Sequence, residues 1–221
     1  MENKLIAFHG KSEIKDKYLG RVRAHRLADE LIHGTYWEHG KGCAVGCTIH
    51  SGDHGAYETE LGIPRILARL EDGIFENLSN GLAQQWPEQF LSAIEPGSDL
   101  SCVWPKFAVW MLIDKKWGVL QFAKTDRTKK AIQDVADAYE SMINDQTLRL
   151  RAADAADAAD AAYAAAYAAD AAYAAAYASA ASDAAAASGG QRVRRQWRKA
   201  QAEKLIELFR TAPVPERSAA A

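Results

Sequence analysis

The chain has 221 residues, enough for one compact core or a core and an appendage, and its 27 basic and 29 acidic side chains leave a net charge of −2. That balance gives no global reason to expect a nucleic-acid or membrane partner, and three cysteines are too few for a disulfide scaffold. No long run of large apolar residues marks a transmembrane helix, and the N-terminus lacks the apolar run of a signal peptide, so a cytoplasmic protein is expected.

In chain order, Ser12 reads as an N-cap with Glu13 in the first turn, and Ile14, Tyr18, Val22 and Ile32 fall near one face of a first helix that Gly34 ends. A second helix opens at Pro64, carries Ile66, Leu67, Leu70, Ile74 and Phe75 at helical spacing, and stops at Ser79-Asn80-Gly81. Leu82, Trp86, Phe90, Leu91 and Ile94 make a third, closed by Pro96-Gly97. A fourth apolar run spans Leu100 to Ile113. Trp117 to Phe122 is ambiguous and reads also as a short strand. Ile132, Val135, Tyr139, Met142 and Ile143 mark a fifth helix from about Asp126. Several alternating strands appear nowhere, so the expected fold class is all-α.

From 152 to 187 the composition changes, with 25 alanines in 36 positions. Alanine is the best helix former, so this tract is expected to be helical from a cap at Thr147 to a stop at Gly189-Gly190, roughly 60 Å long if unbroken. Its larger residues are phased: Tyr163, Tyr167, Asp170, Tyr173 and Tyr177 share one side, as in a near-repeat YAAAYAADAA, and leave a broad face of methyl groups. That stripe is a packing device first, and material for a protein interface or self-association second. Beyond the glycines, Val193, Trp197, Leu205, Leu208 and Phe209 predict a last amphipathic helix folded back along the tract, with Arg192, Arg194, Arg195, Arg198 and Lys199 clustered at its start. The expected organisation is a helical domain over 1–147, an alanine-rich hairpin over 148–211 and a frayed tail over 212–221.

The densest chemistry lies in a glycine-rich loop at 40–54, which holds Cys43, Cys47, His50 and His54. As a metal site these four would supply two thiolates and two imidazoles to zinc, although their close spacing differs from that of zinc fingers. As a nucleophile, Cys43 or Cys47 would act with His50, His54 or His25 as base. The plain alternative is a tight turn with the cysteines packed beneath it and the histidines bonded locally; His25 lies near the apolar stripe of the first helix, where core histidines are common. Cys102 reads as structural. No GxxxxGK[ST] phosphate loop is present, so no nucleotide cofactor is implied.

The stretches Ala7-Phe8-His9-Gly10, Tyr36-Trp37-Glu38, Gly40-Lys41-Gly42-Cys43-Ala44-Val45-Gly46-Cys47-Thr48 and Tyr57-Glu58-Thr59-Glu60-Leu61-Gly62-Ile63-Pro64 together resemble an uncharacterised family of bacterial and phage proteins with this loop and an alanine-rich tail. The alanine-tyrosine repeats are also similar to the tails of some bacterial immunity proteins. Neither resemblance brings an activity or a site residue with it. The expected function is a non-enzymatic protein-protein interaction module, in its sharpest form a phage or prophage accessory factor that inhibits a host defence protein. The alternative is a small metal- or thiol-dependent enzyme using the Cys43–His54 loop, and a third reading is an immunity-like or housekeeping helical protein with one cognate partner.

Overall fold

A computed structural model describes residues 5–145 and 187–215, and among these the side chains outside 187–194. The described residues are mostly helical, with one two-stranded sheet. They divide into two compact units, one taking the chain up to Ser101 together with the stretch from Ile206, the other Cys102–Leu205. No helix among the described residues is long and apolar enough to cross a membrane. Thr147, the alanine tract, its stripe of Tyr163, Tyr167, Asp170, Tyr173 and Tyr177, and any packing of the last helix on that tract lie outside the described residues.

The first unit opens with a 3-10 turn, Ala7–Gly10, and continues through α1 (Ser12–Leu27), β1 (Trp37–Glu38), β2 (Lys41–Gly42), α2 (Ala44–Ile49), α3 (Ala56–Leu61), α4 (Arg65–Phe75), α5 (Asn80–Ala83) and α6 (Trp86–Ala93). Helix α2 lies against α1, α4 and α6, so the segment richest in cysteine is central in this unit. The apolar spacing of α4 buries Leu67, Ile74 and Phe75 as expected, and Pro64 stands one residue before its first turn. Phe90 of α6 meets Phe209 edge to face at 4.9 Å. In the described part of the expected frayed tail, the Ala212 N–H bonds the Phe209 carbonyl at 3.1 Å and the Pro213 carbonyl accepts the Asp99 N–H at 2.8 Å.

Several expected boundaries are corrected. Helix α1 starts at Ser12 without a side-chain cap and stops at Leu27, well before Gly34, because Asp29 turns left-handed (φ 60°) and the Glu30 N–H returns to the His25 carbonyl. Ile32 then leaves the helical stripe and pairs with Gly42. Ser79-Asn80-Gly81 begins α5 rather than ending a helix, and this takes Leu82 out of the α6 stripe. The loop expected at 40–54 is a hairpin followed by a six-residue helix, too short to show a period in sequence.

The second unit holds α7 (Val103–Ile113), a 3-10 turn (Val119–Phe122), α8 (Asp126–Asn144) and the part of α9 (Ala187–Arg210) up to Leu205. The ambiguous segment at 117–122 is therefore the 3-10 turn and no strand; Asp114 Oδ1 starts it by accepting the N–H groups of Lys116 and Trp117. Helix α8 begins at Asp126 as read, and its N-cap Thr125 accepts the Thr128 N–H. Trp197 is buried against Val119 and donates its indole N–H to the Trp117 carbonyl at 3.2 Å. Gly189 and Gly190 do not stop the chain: both lie inside α9, where the good helix formers that follow outweigh a cost of about 1 kcal/mol for each glycine.

Candidate functional site

The site is built where the hairpin lies down on α2. Gly42 and Gly46 stand beneath the Tyr36 carbonyl, and an added Cβ would come within 2.1 Å of its oxygen at Gly42 and 1.6 Å at Gly46. Only glycine permits that approach. The Cys43 N–H bonds the carbonyls of Thr35 and Tyr36, and the Cys43 thiol caps α2 by accepting the Gly46 N–H at 3.4 Å. Tyr36 and Trp37, neighbours in an extended segment, then reach two different histidines. The Tyr36 ring meets His54 edge-on at 5.5 Å, while Trp37 stacks on His50 at 4.5 Å with 11° between the planes.

The four residues picked from the sequence separate in the same way. Cys43 and His54 converge on Asp72 of α4: His54 Nε2 lies 3.4 Å from Asp72 Oδ2, and the Asp72 carboxylate sits beside the Cys43 thiol. Burial pushes that thiol far up, and the Asp72 charge adds to the effect, so it stays protonated. Next to this group Tyr57 donates to Glu71 Oε2 at 2.6 Å, and the Trp86 indole N–H to the Glu71 carbonyl at 2.9 Å. Glu71 is 0% exposed; its Oε1, like Asp72 Oδ1, has no hydrogen-bond partner among the described residues. Burial holds both the Glu71 carboxyl and the Tyr57 hydroxyl well above their ordinary values.

Cys47 and His50 belong to a second group. Cys47 Sγ lies 3.4 and 3.6 Å from the carbonyl oxygens of Gly42 and Glu30, and burial pushes its thiol up to about 12. His50 ends α2 in the left-handed region (φ 57°), where a non-glycine residue is strained. Its Nε2 is 2.8 Å from His25 Nε2, and His25 Nδ1 is 2.6 Å from Glu30 Oε2. Backbone pairing puts Glu30 there: its carbonyl accepts the Gly42 N–H and so ties the segment after α1 to β2.

Proton bookkeeping along this chain has one neutral solution. The Glu30 carboxylate accepts, so His25 carries its proton on Nδ1 and offers a lone pair at Nε2. His50 therefore donates from Nε2 and keeps a lone pair on Nδ1, an atom with no hydrogen bond to any described residue. Burial, then the Arg21 charge and the neighbouring His25, lower the His50 pKa, and Glu30 and Glu60 oppose them. At neutral pH the imidazole is free to take a proton.

The structure thus does not bring Cys43, Cys47, His50 and His54 into one ligand set. Among the described residues no group of three or more His, Cys, Asp or Glu side chains is placed to hold a metal ion. Neither buried thiol has an imidazole hydrogen-bonded to it among the described residues. Sequence reading named His25 as a base for a thiol, but did not see Glu30, Trp37 or Asp72. The available signal was on α1, where Tyr18, Arg21 and His25 recur at helical spacing. Compared with models of known families, with curated proteins and with solved structures, the chain matches none.

Proposed function

We propose that the first unit carries an acid–base site in which His50 is the base, His25 its positioning partner and Glu30 the anchor. One observation carries the reading: the Glu30–His25–His50 chain, with links of 2.6 and 2.8 Å, ending on an exposed imidazole. The reaction class it suits is proton abstraction from water or a hydroxyl at His50 Nδ1. As that proton arrives, positive charge spreads toward His25 and is met by the Glu30 carboxylate. The Trp37 face stacked on the ring favours the imidazolium in the same step. A positioned base of this kind contributes about 10²–10⁴-fold to a rate. The left-handed backbone at His50 fits a residue held for its chemistry, since such strain persists only where neighbours enforce it.

Carbethoxylation tests this, because diethylpyrocarbonate attacks only unprotonated imidazole nitrogen. At about pH 6, where an ordinary histidine is largely protonated, His50 is expected to react several-fold faster than His39, whose side chain is 91% exposed. At about pH 8, where protonation no longer separates the rings, Glu30→Gln should slow His50 several-fold, because no carboxylate then meets the positive charge that develops on the imidazoles. Equal rates at the two histidines, or no effect of Glu30→Gln, would contradict the relay.

A second reading keeps the chain as a protein-interaction module, with a host defence protein as its sharpest partner. What supports it is the phased stripe of Tyr163, Tyr167, Asp170, Tyr173 and Tyr177, together with apolar side chains left exposed at Leu27 (83%) and Tyr36 (57%). It gives His50 no special reactivity, so the same experiment separates the two.

A further inference from the structure

We propose that the His50 site takes a phosphoryl oxyanion, a phosphate or phosphate ester, gripped by Arg21; this rests on the acid–base reading of His50. Arg21 lies one helical turn before His25 on α1. Its Nη1 donates to the Thr48 carbonyl at 2.7 Å, two residues before His50, and its guanidinium carbon stands 5.0 Å from the centre of the Tyr18 ring. These contacts fix the fork beside the base without using it up. Among the described residues Arg21 has no ion pair, and its remaining N–H groups have no acceptor.

Glu60, whose charge reaches both Tyr18 and His50, is engaged as acceptor of the Tyr18 hydroxyl. A held guanidinium with donors to spare, near an imidazole whose Nδ1 accepts from a P–OH or, once protonated, donates to a phosphoryl oxygen, matches a tetrahedral oxyanion: two oxygens for the fork and a third for His50 Nδ1. A flat carboxylate satisfies the fork alone. Trp37, stacked on His50, puts aromatic surface beside the base for the organic part of an ester.

The experiment is a titration with inorganic phosphate, followed on the histidine ring resonances, against sodium chloride at matched ionic strength. Phosphate should shift His50 and His25 saturably and move the His50 titration to higher pH, since a bound anion favours the imidazolium. Arg21→Gln should weaken the binding about tenfold or more, the loss of a charged hydrogen-bonding group. Arg21→Lys keeps the charge and loses the fork, and a several-fold weakening is expected there; if the Gln variant fails to fold, this one decides. Chloride reproducing the shifts, or variants that bind phosphate as the native chain does, would overturn the proposal. A reactive His50 that ignores phosphate removes the ligand class alone, whereas a bound phosphate beside a sluggish His50 removes only the base.

Discussion

Gly46→Ala is expected to destabilise the first unit by about 3 kcal/mol or more, at the severe end for a single methyl group. The added Cβ would sit 1.6 Å from the Tyr36 carbonyl oxygen and 2.7 Å from its carbon, and both are backbone atoms with no rotamer to turn away. Relief requires the hairpin to lift from α2, which breaks the Cys43 N–H bonds to Thr35 and Tyr36 and pulls Trp37 off His50. Gly20→Ala is the control. Gly20 is inside α1 with nothing within 4 Å of an added Cβ, so that change should stabilise by about 0.5–1 kcal/mol. Urea unfolding of both variants measures the pair. A Gly46→Ala midpoint equal to the native one would mean that the close approach of hairpin and helix does not hold the site together.

Glu71→Gln is expected to stabilise the protein above neutral pH and to leave it little changed in acid. Burial is the main cause of the raised Glu71 pKa; the Asp72 charge adds to it, and the hydrogen bond from Tyr57 only partly offsets it. The sign follows from proton binding. Below about pH 4 the carboxyl is protonated folded and unfolded, and contributes nothing to pH dependence. Above that the unfolded chain releases the proton while the folded one keeps it. Stability then falls with pH, at a slope approaching about 1.4 kcal/mol per unit from this group alone, until the folded carboxyl ionises. Glutamine cannot ionise and still offers an oxygen to the Tyr57 hydroxyl, which now donates at 2.6 Å. The difference between variant and native urea midpoints should therefore widen as pH rises above about 5, until the folded carboxyl ionises. A difference independent of pH would show that Glu71 is ionised in the folded protein.

Helices that bury a long, periodic face were legible in the sequence. The spacing of α4, the start of α8 at Asp126 and the stripe of α9 carrying Trp197, Leu205, Leu208 and Phe209 are each set by local pattern and then buried. The end of α1 was not legible, because a long-range contact decides it: Glu30 and Ile32 leave the helix to pair with Gly42. Helices α2 and α3, of six residues each, show no period to read. The site was half visible. Its density of thiols and imidazoles drew attention to 43–54, but residue type alone grouped Cys43, Cys47, His50 and His54 as one set. Their partners come from elsewhere in the chain, Asp72 from α4, His25 from α1 and Glu30 from the turn after it, and these partners divide the four into two groups.

The most direct test is a proton–nitrogen correlation spectrum of the histidine side chains at neutral pH, which reads the protonated nitrogen of each ring. The relay predicts complementary tautomers: His25 protonated at Nδ1 and bare at Nε2, His50 protonated at Nε2 and bare at Nδ1. Two rings in the same tautomer, or a His50 already carrying both protons, would contradict the account.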